Sequence, residues 1–445
     1  MSFSLGLAFL AFALPARAGA PSGGETLSRR LKNGFEVVLS EDHAQPVFSV
    51  IVRYRVGSRD DPQNLAELAH LVEHLSFRDA HRGEQRGFEL ADLAGVEYNA
   101  LTVADETEYE YSGPLGPLGA LSRVLWLERQ RMAFTLASLT QADVARERGV
   151  IDAERSTMRA DVPGGLVRDF TADALYPPGH PYAVRPERGC ALHCELQHAQ
   201  WLMQRGYRPD NARLVVVGDF DAHALLNTID QLFGAIENPG VHLPAYTEVP
   251  VKTRPTRITV AAPVARSMLH LYWRIPQTAR SQPAALRVLE TSLTRELNRM
   301  LNDRPGLAVN AGAETMQREL DWLWSIGVEL LPGIDPKFVE RRILAVLARF
   351  RDEPPASESL ETDRDVTLLS LLERWDLPAR RASLLAEDGG FGFELGQRRS
   401  ALSRVSAKEV QSLARQCLTQ SPLLTVYVRR ALDASPRGEL YREPE

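Results

Sequence analysis

Cysteine is scarce in this chain, with three in 445 residues. A small scaffold stapled by disulfides is thereby excluded, and a buried core must hold the fold. An excess of one charge sign is also missing. Net charge is -6, the signs are interleaved, and neither an acidic tail nor a basic arm stands out. No nucleic-acid partner is expected from such a balance. Beyond the first residues no stretch is long and apolar enough for a transmembrane helix. The opening residues, MSFS, contain no Lys or Arg. They still precede an apolar run over residues 5–14, then Pro15 and the A-x-A site Ala16-Arg17-Ala18. That order predicts a signal peptide over residues 1–18, cleaved after Ala18, and a mature protein that is periplasmic or secreted.

What is present is ordinary globular material, 44% hydrophobic and 25% charged. The length calls for two or more domains. One stretch concentrates chemistry: residues 64–76, NLAELAHLVEHLS, contain His70, Glu73 and His74 in the order H-x-x-E-H. On a helix, His70 and His74 stack one turn apart with Glu73 beside them, and Leu65, Leu68, Val72 and Leu75 take the opposite face. Two neutral imidazoles so placed can share a zinc ion. Zinc acidifies water, and a nearby carboxylate can take the proton. The pattern by itself also fits a solvated helix face, so a third ligand has to decide.

The surrounding chain alternates strand and helix signals. Asn33-Gly34 sits between two strand-like runs and predicts a hairpin. Residues 47–56 alternate as a half-buried strand does. Residues 88–94 predict a short helix, and 97–112 two strands around Ala104-Asp105. Residues 115–131 and 140–159 predict amphipathic helices, the second with Thr140 as its N-cap. On that second helix Glu147 and Glu154 lie seven residues apart, two turns, and share a face. They could complete a His-His-Glu zinc set, or be solvent-facing acids paired with Arg146, Arg148 and Arg155. Cys190 and Cys194 flank Ala191-Leu192-His193; they are disulfide candidates, with metal binding by Cys190, His193 and Cys194 as the alternative. Cys417 falls in a helical pattern and reads as a buried thiol. His81, His180 and His198 read as surface or loop histidines.

Several stretches together resemble the pitrilysin-type zinc metallopeptidases, the inverzincins, and especially short forms such as the β subunit of the mitochondrial processing peptidase. They are Lys32-Asn33-Gly34-Phe35, Val56-Gly57-Ser58-Arg59, the H-L-V-E-H itself, Asn99-Ala100-Leu101-Thr102, residues 147–154, His180-Pro181-Tyr182, and Tyr207 to Ala212 with the strand after it. The resemblance runs over residues 26–430. It implies zinc ligands His70, His74 and Glu154, Glu73 as general base, and Glu147 as a catalytic-site residue orienting a ligating imidazole. It also implies that Asn99 and Ala100 lie on a strand able to pair with an extended peptide substrate. Thr107, Tyr109 and Tyr111 read as sheet residues.

A Pro- and Thr-rich stretch divides the chain. Residues 196–219 and 406–428 repeat the order helix, turn, apolar strand. Two α+β units are expected, each an antiparallel sheet packed with helices, at 19–240 and 258–435 with a linker over 241–257. The resemblance makes this pair half of a clamshell. In the family the other half supplies an Arg and a Tyr seven residues apart. Here Gly306-Leu307-Ala308 fits the matching motif, but Asn302 and Val309 occupy the Arg and Tyr positions, and Val309 cannot donate a hydrogen bond. Arg304 could substitute in part. A zinc-dependent endopeptidase is therefore expected, working as a heterodimer with a related zinc-free subunit that carries the Arg/Tyr pair; a homodimer would lack that pair. The other reading is a non-catalytic assembly subunit that keeps the fold.

Overall fold

The structure, a computed structural model, describes residues 26–82, 95–116, 119–133, 136, 138–161, 165–183, 193–246, 253–302, 306–387, 390–419, 421–431 and 439–441. The signal peptide expected over 1–18, the helix expected over 88–94, and residues 247–252 of the expected linker lie outside the described residues.

The first half builds a six-stranded sheet from β1 (Thr26–Arg30), β2 (Glu36–Glu41), β3 (Val47–Tyr54), β4 (Glu97–Thr102), β5 (Thr107–Pro114) and β6 (Ala212–Gly218). Their spatial order is β1-β2-β6-β3-β5-β4. The second half builds another from β7 (Thr256–Ala262), β8 (Met268–Arg274), β9 (Ala308–Gln317), β10 (Trp322–Leu330), β11 (Leu424–Arg430) and β12 (Glu439–Tyr441). The order there is β12-β7-β11-β8-β10-β9. Pairing is antiparallel throughout except β2 with β6 and β7 with β11. The fold is α+β, two like sheets each dressed with helices. The hairpin expected at Asn33-Gly34 joins β1 and β2. Gly34 has φ 91°, and a Cβ there would lie 2.8 Å from the Cβ of Asp210, so both backbone and packing require glycine.

In the first half the helices are α1 (Leu68–Arg82), α2 (Ala120–Ala133), α3 (Gln141–Asp161), α4 (Gly165–Leu175), α5 (Leu196–Gly206) and α6 (Ala222–Phe233). In the second they include α7 (Pro283–Asn302), α8 (Pro336–Asp352), α9 (Ser357–Asp376), α10 (Pro378–Ala386) and α11 (Ala407–Cys417). One face of the first sheet, with Val37, Leu39, Val50, Val52, Leu214 and Val216, forms a core with Leu68 and Val72 of α1, Val124 of α2 and Leu202 of α5.

The opposite face is not solvated. Val38, Ile51, Val215 and Val217 pack against Trp375, Ala382, Leu385 and Phe393 of the second half. This corrects the half-buried reading of residues 47–56, since β3 is buried on both faces. The cause is α10, a cover contributed from more than 300 residues away. Even the charged Arg53 on that face is accommodated, donating to the Ala386 carbonyl at 2.8 Å and pairing with Glu106. The exchange is mutual. Leu175 and Tyr176 at the end of α4, with Tyr182, pack on Ile258, Met268, Tyr272 and Val426 of the second sheet.

Cys194 is buried and disulfide-bonded, while its candidate partner Cys190 lies outside the described residues. Cys417 is a free buried thiol, its pKa pushed up to about 12 by burial.

Candidate metal centre and active site

Helix α1 starts later than the hydrophobic period suggests. Residues 64–67 form a turn, and the helix begins at Leu68. The side chain of Asp61 explains the start: its two oxygens accept from the backbone N of Glu67 and of Ala69, each at 2.8 Å. Glu67 is left at φ 72°, and its carbonyl accepts from Leu71 N at 2.9 Å. Leu68, Leu71, Val72 and Leu75 then anchor the helix in the core. Its polar side is turned toward α3.

That packing brings three donors from two helices together. His70 Nε2 and His74 Nε2 are 3.2 Å apart, and each lies 3.5 Å from Glu154 Oε2. A tetrahedral zinc ion with bonds of roughly 2.0–2.1 Å has ligand–ligand edges of about 3.3–3.4 Å. The triangle therefore fits a zinc ion without rearrangement. Both imidazoles also have the other ring nitrogen engaged by a carboxylate. His74 Nδ1 lies 3.3 Å from Glu147 Oε2, and His70 Nδ1 lies 3.1 Å from Glu67 Oε2. Such contacts fix the tautomer that leaves Nε2 free for a metal. Arg78 Nε in turn donates to Glu147 Oε1 at 2.6 Å. Burial lowers the His70 pKa, but the hydrogen bond and charge of Glu67, with Glu73 and Glu154, leave it raised. Arg78 pairs with Glu147 at 2.6 Å and Arg155 Nε lies 3.9 Å from Glu67, and a divalent cation would further offset the charge of the carboxylates gathered here.

Glu73 is buried, and Thr102 Oγ1 donates to its Oε2 at 2.6 Å. Thr102 closes β4, the edge strand of its sheet. Along β4 the side chains alternate: Glu97, Asn99 and Leu101 are exposed, while Tyr98, Ala100 and Thr102 are half-buried. Below Glu73, Ser76 Oγ donates to the Glu73 carbonyl at 2.8 Å and meets Tyr109 Oη at 2.9 Å, which continues to Tyr207 at 3.0 Å. A cavity of 490 Å³ opens beside the donors, lined by Glu73, His74, Tyr98, Asn99, Ala100 and Glu154 among others. A cleft of 1940 Å³ runs from the same residues to the inner face of the second sheet, reaching His270, Tyr272, Glu314 and Ser325.

Asn99 and Ala100 thus border both spaces. Val309 is exposed at the start of β9, and the side chain of Asn302 and all of Arg304 lie outside the described residues. Thr107, Tyr109 and Tyr111 are buried sheet residues. His180 sits in a loop, as one of the two readings expected, but it is buried rather than at the surface. Its ring lies 4.2 Å from that of Tyr176 and 5.3 Å from that of Tyr182, and its Nδ1 accepts from Tyr182 N at 2.9 Å. Burial lowers its pKa to about 4. His198 stays at the surface, where its ring accepts from Glu195 N at 3.1 Å. The side chain of His81 lies outside the described residues. Neither Thr102 nor Glu67 is a candidate from sequence pattern alone. Thr102 closes the N-A-x-T stretch, and that motif is the signal that points to it.

Fold and donor set together define a two-sheet α+β protein with an H-x-x-E-H helix completed by a second helix. The family model described as insulinase (peptidase family M16) matches residues 36–176, and the one described as peptidase M16 inactive domain matches residues 196–365. The chain belongs to peptidase family M16, the pitrilysin-type metallopeptidases. It is 25% identical over 341 residues to the zinc protease PqqE of Helicobacter pylori, a match covering 72% of this chain and 73% of that one. To human insulin-degrading enzyme it is 28% identical over 239 residues, 49% of this chain and 22% of that one. Among solved structures, a protease from Helicobacter pylori superposes with a TM-score of 0.81 at 22% identity, covering 92% of this chain and all of that one. The periplasmic protease PqqL of Escherichia coli gives 0.72 at 17% identity, covering 92% of this chain but 48% of that one. These structural likenesses bear on the fold. The "inactive" description falls on residues 196–365, which begin in the first half but do not include the H-x-x-E-H helix.

Proposed function

We propose that this chain is a zinc-dependent endopeptidase cleaving peptides or unfolded segments. The observation that carries the reading is the donor triangle of His70, His74 and Glu154, with edges of 3.2 and 3.5 Å, beside a Glu73 held by Thr102. Zinc bound there would supply Lewis acidity, lowering the pKa of a bound water and polarising a carbonyl. Glu73 is the proton acceptor. The Thr102 hydroxyl occupies its Oε2, so its other oxygen takes the proton and then returns it to the leaving amine nitrogen. Glu147 holds the His74 ring. Asn99 and Ala100, on an edge strand, accept an extended peptide backbone by strand addition. The cleft admits a flexible segment more readily than a folded domain.

The electrophilic help is not supplied by the residues at the two matching positions, Asn302 and Val309. Val309 has no donor for a developing oxyanion. A related zinc-free subunit bearing the Arg/Tyr pair would complete the site, in a heterodimer. The match to about half of the PqqL chain supports a second such unit. Export to the periplasm is part of the proposal, on the apolar run and A-x-A site and on the periplasmic description of PqqL. Units at 19–240 and 258–435 joined by 241–257 remain our reading of the domain boundaries. The lack of a donor at Val309 also favours a second reading, a subunit that keeps the fold without catalysis.

Hydrolysis of a quenched-fluorescent peptide library tests both. The zinc-loaded chain with an Arg/Tyr-bearing relative should cleave, and Glu73→Gln should lower the rate by about 10²–10⁴-fold with zinc retained. Cleavage by the chain alone, lost in Glu73→Gln, would refute the partner requirement. A chain that takes up no zinc would support the scaffold reading.

A further inference from the structure

The two imidazoles are served differently. His74 is held by Glu147 from across the helix pair, whereas His70 is held by Glu67 from the turn just before its own helix, three residues earlier. Glu67 stands at φ 72°, the left-handed region that costs any residue with a Cβ and suits glycine. Its backbone is gripped on both sides: its N donates to Asp61 and its carbonyl accepts from Leu71. A glycine would make the same turn without strain. The turn therefore explains the backbone conformation but not the carboxylate.

The carboxylate has its own geometry. Oε2 lies 3.1 Å from His70 Nδ1, and Oε1 lies 3.9 Å from Arg155 Nε, on the residue next to Glu154. One side chain thus ties the environment of one donor to that of another, across α1 and α3. We infer that Glu67 is a positioning residue for the metal centre, holding His70 with its proton on Nδ1 so that Nε2 presents its lone pair to the ion. Strain in the turn is tolerated because the carboxylate is placed by it. The inference rests on the zinc reading above.

Zinc affinity by chelator competition and thermal unfolding of the metal-free protein decide it, measured on the full chain for wild type, Glu67→Gly and Glu67→Gln. Positioning predicts that Glu67→Gly binds zinc about 10–100-fold more weakly while the metal-free form melts at the same or a higher temperature. Glu67→Gln should fall between, because its amide oxygen can still accept from Nδ1–H. Glu147→Gln, acting on the other ring, should weaken zinc to a similar degree. Unchanged zinc affinity in Glu67→Gly overturns the inference and leaves the zinc site standing. Weaker zinc accompanied by an equal loss of metal-free stability, with Glu67→Gln normal, assigns Glu67 to the turn and overturns it too. A wild type that binds no zinc removes the site reading, and the inference with it.

Discussion

Thr102 ties the edge of the first sheet to the proposed proton acceptor. Its hydroxyl donates to Glu73 Oε2 at 2.6 Å and sits 3.3 Å from Thr107 Oγ1, which itself donates to the Val56 carbonyl at 2.9 Å. Thr107 therefore backs Thr102 from within the sheet. A hydrogen bond to a charged group contributes about 1.5–3 kcal/mol, so its removal is felt by more than tenfold in rate if it orients the base. Thr102→Val keeps shape and strand propensity and removes only the hydroxyl. It is expected to lower kcat/KM at least about 10-fold with zinc content unchanged, read by steady-state kinetics and metal analysis on the same sample. Full activity in Thr102→Val would show that Glu73 is oriented by other contacts.

At the scale of elements, the turn between α4 and residues 181–183 carries a pH dependence. His180 packs between Tyr176 and Tyr182, and its Nε2 is buried without a hydrogen-bond partner among the described residues. Burial lowers its pKa from 6.5 to about 4. Below pH 6.5 the unfolded chain takes up a proton that the folded chain refuses until about pH 4. The neutral ring's contribution is thus complete above pH 6.5 and declines as pH falls toward 4. His270 on β8, also lowered to about 4 by burial alone, adds to the same limb. The urea midpoint should therefore drop between pH 7 and pH 4.5, and less steeply in His180→Asn. An equal slope in both proteins would place the acid sensitivity elsewhere.

For the whole molecule, the exchange of helices decides whether the halves are separable. The second half lends α10 to the first sheet, where the Ala386 and Glu387 carbonyls accept from Arg213 at 3.2 and 2.7 Å and Arg381 meets Asp42 at 2.8 Å. The first half lends α4 and Tyr182, whose hydroxyl bridges Asp105 and the backbone N of Leu320 at 2.6 and 3.1 Å. Arg59, two residues before the Asp61 that caps α1, pairs with Asp105 at 2.8 Å and with Glu319 at 2.6 Å. Each core is therefore incomplete without the other half. A chain cut at an engineered protease site between residues 246 and 253 should elute as one species and unfold in one calorimetric transition. Two transitions, or separation of the fragments, would mean that each sheet is self-sufficient.

Local pattern was enough for much of this. The Asn33-Gly34 hairpin, the β4–β5 pair, α1 and α3 all announce themselves by period or turn chemistry, because those signals depend on neighbours within a turn or two. So does the shared face of Glu147 and Glu154, a matter of two helical turns. The repeat of helix, turn and apolar strand in each half belongs to the same class. What the sequence could not display depends on partners far along the chain. β3 reads as half-solvated until α10 covers it, and nothing in the sequence marks the loop residue His180 as buried until two tyrosines enclose it. The grip of Thr102 on Glu73 needs a strand to dock against a helix, and the turn at Glu67 needs Asp61 to compete with the helix for its first amides. Periodicity records which face of an element is apolar; which remote element covers that face, and which polar atom meets another there, is settled by tertiary packing.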